Sequence, residues 1–146
     1  MTFFKEFIFS VFATVGFSIL FNVPKKSIFY AGITGGIGWV IYSYYSELFN
    51  TTFASFVASV LIGILGELFA RIDKKPVTIF VIPGIVPIVP GYGTYLSMVN
   101  LINGNYYQAL DVGIETISMA GAISMGIIIV ASISKILKKN QFTDSR

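Results

Sequence analysis

Two carboxylates and a run of prolines carry the clearest chemistry in this chain. Asp111 and Glu115 stand four residues apart at the start of a long apolar stretch, which places both on one helix face with Glu115 one turn deeper. If that stretch crosses a bilayer, its carboxylates are costly to keep and mark a substrate or ion contact. They can receive an ammonium group or carry a coupling proton, and two close carboxylates raise the proton affinity of one of them. Asp111 has a second reading of equal weight, in which it only starts the helix at the membrane surface, where negative charge suits the dipole.

Upstream, residues 81–93 read VIPGIVPIVPGYG, with three prolines and three glycines among Ile, Val and Tyr. Proline donates no amide hydrogen bond and disrupts the helix around it. Irregular backbone at membrane depth is tolerated only where protein covers it or where it lines a wet cavity. The stretch therefore reads as a break between a short inner segment, 77–82, and an outer half-helix, 92–102. Such a break leaves a helix N-terminus at mid-depth, with the amides of Gly91, Tyr92 and Gly93 facing an anion and the dipole behind them. Discontinuous helices hold substrate carboxylates in this way in secondary transporters. The hydroxyls of Tyr92, Thr94 and Tyr95 fall at the same level, and glycines at 84, 91 and 93 let a ligand approach the backbone. The candidate substrate-binding residues are Pro83, Gly84, Pro87, Pro90, Gly91, Tyr92, Gly93, Thr94 and Tyr95, with Asp111 and Glu115 for an ammonium or a proton. A proline kink that only shapes packing is the alternative, but three prolines paired with glycines favour a site.

No Lys or Arg occurs between Val77 and Ser134, so this region offers a substrate carboxylate dipoles and hydroxyls but no cation. That favours a zwitterion over a dianion unless a partner supplies an arginine. Glu67 and Arg71, four residues apart at the inner end of an earlier apolar segment, read as an interfacial ion pair.

The elements that must position these residues follow from composition. Of 146 residues, 55% are hydrophobic and 12% charged, and mean hydropathy is +0.80. A soluble domain of this size cannot cover that much apolar surface, so the expectation is an all-α integral membrane protein. A spanning helix needs about 20 mostly apolar residues. Five segments qualify, at about 4–23, 28–45, 52–70, 77–102 and 112–137, the fourth discontinuous. They form a single transmembrane domain over 1–137, followed by a short polar tail, 138–146. The first apolar run follows Lys5 and lacks a small-x-small cleavage pattern, which reads as a retained span and not a signal peptide.

Lys25, Lys26, Arg71, Lys74, Lys75, Lys135, Lys138, Lys139 and Arg146 then fall on one side of the membrane and only Lys5 on the other. The positive-inside rule places the C-terminus in the cytoplasm and the N-terminus outside. Tyr42, Tyr44, Tyr45, Tyr106 and Tyr107 fall at the outer interface, as an aromatic belt would. Gly32 and Gly36 form a GxxxG pair, and Ser118, Ala122 and Gly126 form a small-residue stripe. These stripes suit helix packing within the chain or against a partner, including a second copy of the chain.

The chain has no Cys and no His. This removes thiol chemistry, disulfides, imidazole catalysis and most zinc sites, so no metal or cofactor is expected. An enzyme is the least supported class, since no nucleophile–base pair is present. The net charge of +3 is not gathered into a nucleic-acid patch.

The run RIDKKPVTIFVIPGIVPIVPGYGTYLSMVNLINGNYYQAL, residues 71–110, resembles the threonine/serine exporter (ThrE) family. The chain as a whole is similar to the small subunit of the split, two-gene form. The basic loop, the short apolar segment, the PGIVPIVPG core, the outer helix and the GNYYQAL connection match in order. The resemblance implies an inner-membrane exporter of small metabolites, chiefly threonine and serine and in some split systems succinate. It also implies a larger partner subunit with membrane spans of its own. The family's motif falls on Pro83, Gly84, Pro87, Pro90 and Gly91, whereas Asp111 and Glu115 rest on physical argument alone. Three functions follow for test: a subunit of a proton-motive-force-driven threonine/serine exporter, a subunit of a dicarboxylate exporter, and a non-transporting assembly subunit.

Overall fold

A computed structural model describes the backbone of residues 2–143 and the side chains of residues 3–137. The described residues form six helices and no strand. The helices are α1 (Thr2–Leu20), α2 (Lys25–Leu48), α3 (Thr51–Asp73), α4 (Thr78–Ile85), α5 (Gly91–Ile102) and α6 (Tyr106–Thr143). A 3-10 turn, Val86–Ile88, continues α4. The all-α expectation holds. Helix α6 carries on through the start of the predicted polar tail to Thr143, and the rest of that tail lies outside the described residues.

The surface is inverted relative to a water-soluble bundle. On α1, Phe9 and Phe12 are 72% and 69% exposed, while Thr14 and Ser18 are wholly buried. Water would drive the opposite arrangement. In lipid, large apolar side chains face the solvent and small polar ones join the helices. The buried hydroxyls bond mostly to their own helix: Thr14 Oγ1 donates to the Ser10 carbonyl (2.8 Å), Ser18 Oγ to Thr14 (2.7 Å) and Thr34 Oγ1 to Tyr30 (2.9 Å). Ser10 Oγ instead crosses to the Gly35 carbonyl of α2 at 3.0 Å. Each of these four hydroxyls has an acceptor, as an apolar surrounding requires.

Helices α1, α3 and α6 are long and apolar enough to cross a bilayer, and α4 with α5 adds a fourth crossing if the bent pair counts as one span. Helix α2 is as long, its 24 residues rising about 36 Å. It is less apolar because it is the most enclosed helix, packed by α1, α3 and α4. Its buried positions are Ser27, Ala31, Thr34 and four glycines. The predicted GxxxG pair faces α1: a Cβ on Gly36 would fall 2.5 Å from Val11 and 2.7 Å from Phe7. The core beneath the site gathers Ala58 and Ile62 of α3, Val81 of α4, Ile88 of the 3-10 turn and Ile123 of α6.

Local signals set the ends. Asn50 caps α3 by accepting the Phe53 amide at 2.7 Å. Lys74 closes it in the left-handed region, φ 53°. Gly104 takes φ +78° in the turn between α5 and α6, where a side chain would be strained.

Helices α3 and α6 run parallel. Thr51 meets Glu115, Ser59 meets Gly126, and Gly63 meets Val130, in the same order down both helices. The closest approach is at Gly126, where a Cβ would stand 2.0 Å from Ser59 Oγ and 3.0 Å from the Phe56 carbonyl oxygen. Of the predicted stripe, Ala122 and Gly126 are buried, but Ser118 is exposed and bonds its own helix at Ile114. Four-residue steps drift by about 40° around an α-helix, which carries Ser118 off the packed face.

Candidate functional site

The break forms later than the prolines suggest. Helix α4 runs on to Ile85 with Pro83 and Gly84 inside it, and the 3-10 turn extends the ordered segment to Ile88. Pro83 therefore does not break the chain. Its ring is fully buried, and its missing donor costs one bond of the helical ladder. Gly84 is buried against α2, where a Cβ would meet Thr34 at 2.9 Å. The rupture is at Val89 and Pro90. Val89 is extended (φ −64°, ψ 128°) and Pro90 takes φ −77°, ψ 57°. The Gly91 amide bonds the Val89 carbonyl at 2.7 Å. This is an inverse γ-turn with proline at its centre. It bends α5 by 46° from the segment before it.

At this bend a cavity of about 410 Å³ opens. The irregular backbone supplies Pro87, Ile88, Val89 and Pro90; α5 supplies Tyr92 and Gly93; α6 supplies Glu115 and Thr116. Trp39 and Tyr42 of α2 and Thr51 of α3 line it as well. The unwound backbone thus borders a cavity, as its hydrogen-bonding groups demand.

Glu115 is the charged group of this cavity. Its Oε1 accepts a 2.7 Å hydrogen bond from Thr51 Oγ1, which fixes the carboxylate across the α3–α6 seam. Facing it is the N-terminus of α5. The Gly91 amide is consumed by the γ-turn and Thr94 N bonds the Pro90 carbonyl at 3.2 Å, whereas the Tyr92 and Gly93 amides have no backbone acceptor. Two amides without a backbone acceptor, at the positive end of a helix dipole, therefore belong to residues that line the same cavity as the carboxylate. The two helices touch here: a Cβ on Gly93 would lie 2.4 Å from Thr116 Oγ1, itself bonded to the Val112 carbonyl at 2.7 Å. Such a cavity can hold a molecule with an ammonium end at Glu115 and a carboxylate end at the amides. It contains no lysine or arginine.

The structure thus brings together Pro87, Pro90, Tyr92, Gly93 and Glu115 of the predicted set. Tyr92 is 74% exposed and stands at the mouth. Pro83 and Gly84 lie in the packed core instead. Gly91 borders open space, with nothing within 4 Å of a Cβ there. Thr94 turns its hydroxyl onto the Pro90 carbonyl (3.1 Å), and Tyr95 points away from the cavity, largely exposed. Asp111 is exposed and outside the cavity lining, so the two carboxylates do not share it. Trp39, Thr51, Thr116 and Met119 were not read as site residues, and Tyr42 only as part of an aromatic belt. They come from three other helices, and nothing in their spacing relates them to the proline run. Among the described residues no group of three Asp or Glu converges as a metal site would need.

Residues 6–133 match the family described as threonine/serine exporter, ThrE. The chain belongs to this family. An uncharacterized protein of Haemophilus influenzae is 27% identical over 131 residues, covering 84% of this chain. The match takes in 44% of that relative, so the chain spans under half the length of the curated relative it matches. No solved structure matches. The family points to a membrane exporter, and the apolar helices agree with a place in the membrane.

Proposed function

We propose that this chain is a subunit of a secondary exporter of small hydrophilic amino acids, threonine and serine foremost, driven by the proton motive force. One observation carries the reading. Glu115 and the unpaired amides at the start of α5 border the same cavity. The solute's ammonium meets Glu115 and its carboxylate meets Tyr92 and Gly93, at the positive end of α5. Glu115 can exchange the ammonium for a proton, which supplies a route to coupling.

The membrane is the cell's inner membrane, crossed five times with α2 included, the N-terminus outside and the C-terminus in the cytoplasm. A larger membrane subunit completes the working unit. Two facts support a partner: the chain spans 44% of its relative, and α5 packs mainly on α6, leaving its other faces uncovered. A dicarboxylate such as succinate is the second reading. The absence of a cation from the cavity weighs against it unless the partner contributes an arginine. A purely structural subunit would leave the cavity without a role.

The test is efflux of labelled threonine, serine and succinate from cells expressing the chain alone or with a large-subunit candidate. Threonine or serine efflux that needs both chains is the expected result. Efflux from this chain alone would remove the partner, and succinate alone would replace the amino acid.

A further inference from the structure

A second pocket, mostly apolar but carrying charged and hydroxyl groups, lies at the opposite, inner end of the α3–α6 seam. Two cavities, of about 260 and 360 Å³, flank Glu67, and both are lined by Glu67 and Ser134. The first also takes in Arg71, and its remaining walls are apolar, among them Ile64, Leu68 and Val130. Each is many times the roughly 30 Å³ share of one water molecule. Glu67 engages other groups of the chain. Ser134 does not: it is only 6% exposed, yet its hydroxyl has no hydrogen-bond partner. Other buried hydroxyls of the bundle bond a helix carbonyl, among them Thr14, Ser18, Thr34, Ser55 and Ser59. A buried hydroxyl left unmet costs free energy unless something else meets it.

The geometry points to an inner binding station for a small zwitterion at Ser134, Glu67 and Arg71. Ser134 Oγ and the Glu67 carboxylate accept from the ammonium, and the Arg71 guanidinium takes the carboxylate. Because α3 and α6 are parallel, this station repeats the outer one three or more turns along the same two helices. Thr51 with Glu115 stands at one end, and Glu67 with Ser134 at the other. The inner station differs by offering a cation, which suits capture of a solute from the aqueous cytoplasm. The inference rests on the exporter reading and adds the side from which the solute is first bound.

The chain contains no cysteine, so Ser134→Cys gives a single, nearly isosteric reporter. Inverted membrane vesicles holding the chain together with its large-subunit candidate would be treated with the cationic thiol reagent methanethiosulfonate ethylammonium, with and without threonine, and labelling read on this chain, while wild-type threonine and serine export is measured in parallel. Labelling should be slowed about tenfold at a threonine concentration near ten times its Kd. Adding Arg71→Gln should abolish that protection, and Arg71→Gln alone should raise the inner-side KM with membrane yield unchanged. Labelling that threonine does not slow, or no labelling at all, overturns the station while leaving the exporter reading intact if the wild type exports. A wild type that exports neither threonine nor serine overturns both.

Discussion

Glu115 is the carboxylate of the proposed site, and Thr51 is what holds it. The hydroxyl comes from the first turn of α3 and the carboxylate from α6. Glu115→Gln keeps an oxygen for Thr51 but removes the charge that would meet an ammonium. A hydrogen bond to a charged group contributes about 1.5–3 kcal/mol, so export at low substrate should fall by roughly tenfold or more. Thr51→Val leaves the charge and removes its anchor, for a smaller loss of about fivefold, seen mostly in KM. Asp111→Asn, outside the cavity, should change neither. Concentration-dependent efflux of the three variants checks the order. An Asp111 effect equal to that of Glu115 would return both carboxylates to one site. The pair Asp111 and Glu115 was legible from four-residue spacing, but spacing could not show which of them has a neighbour from α3.

At the scale of elements, the site depends on how closely α5 can lie on α6. The proline run announced a broken helix, and the break is there. Its position was not legible, because a proline can sit within a helix at the loss of one ladder bond, as Pro83 does, or at the centre of a turn, as Pro90 does. Tertiary packing decides between them. The same holds for the glycines. Gly91 and Gly93 look alike in sequence, but only Gly93 is pressed against α6. Gly93→Ala should push α5 off Thr116 and depress export severalfold. The double variant Gly93→Ala with Thr116→Ala, which removes the hydroxyl in the way, should recover most of it. Gly91→Ala should be nearly silent. Efflux and the melting temperature of the purified protein, measured together, separate a displaced helix from a misfolded chain. Failure of the double variant to recover would mean that the close approach of Gly93 to Thr116 does not set the cavity.

For the whole molecule, composition was enough to establish an all-α membrane protein, and the inverted burial of α1 gives the physical reason. The parallel pairing of α3 and α6 was not legible, since no periodicity reports which helices become neighbours. The fold does constrain how the chain can be threaded through a bilayer. Parallel α3 and α6 enter from the same side, so Thr51 and Tyr106 share one surface while Asp73 and Leu137 share the other. Three further contacts agree: Ser27 Oγ bonds the Asp73 carboxylate, joining the start of α2 to the end of α3; Phe3 approaches Tyr44, joining the start of α1 to the end of α2; and Tyr45 approaches Phe53. The basic residues Lys25, Lys26, Arg71, Lys74 and Lys75 then cluster with the Ser27–Asp73 end, the end that the proposed orientation puts in the cytoplasm. Single cysteines in this cysteine-free chain test the assignment with an impermeant maleimide on intact cells. Cysteine at Tyr107 or Asn50 should be labelled from outside, and cysteine at Lys26 or Lys75 only after the membrane is opened. If Tyr107 and Lys75 label from the same side, the α4–α5 pair does not cross, and the parallel pairing of α3 and α6 that sets Thr51 against Glu115 is overturned. Labelling of Lys26 and Lys75 from outside, with Tyr107 and Asn50 protected, would instead invert the orientation, and the cavity at Glu115 would then be the entrance of the export path and not its exit.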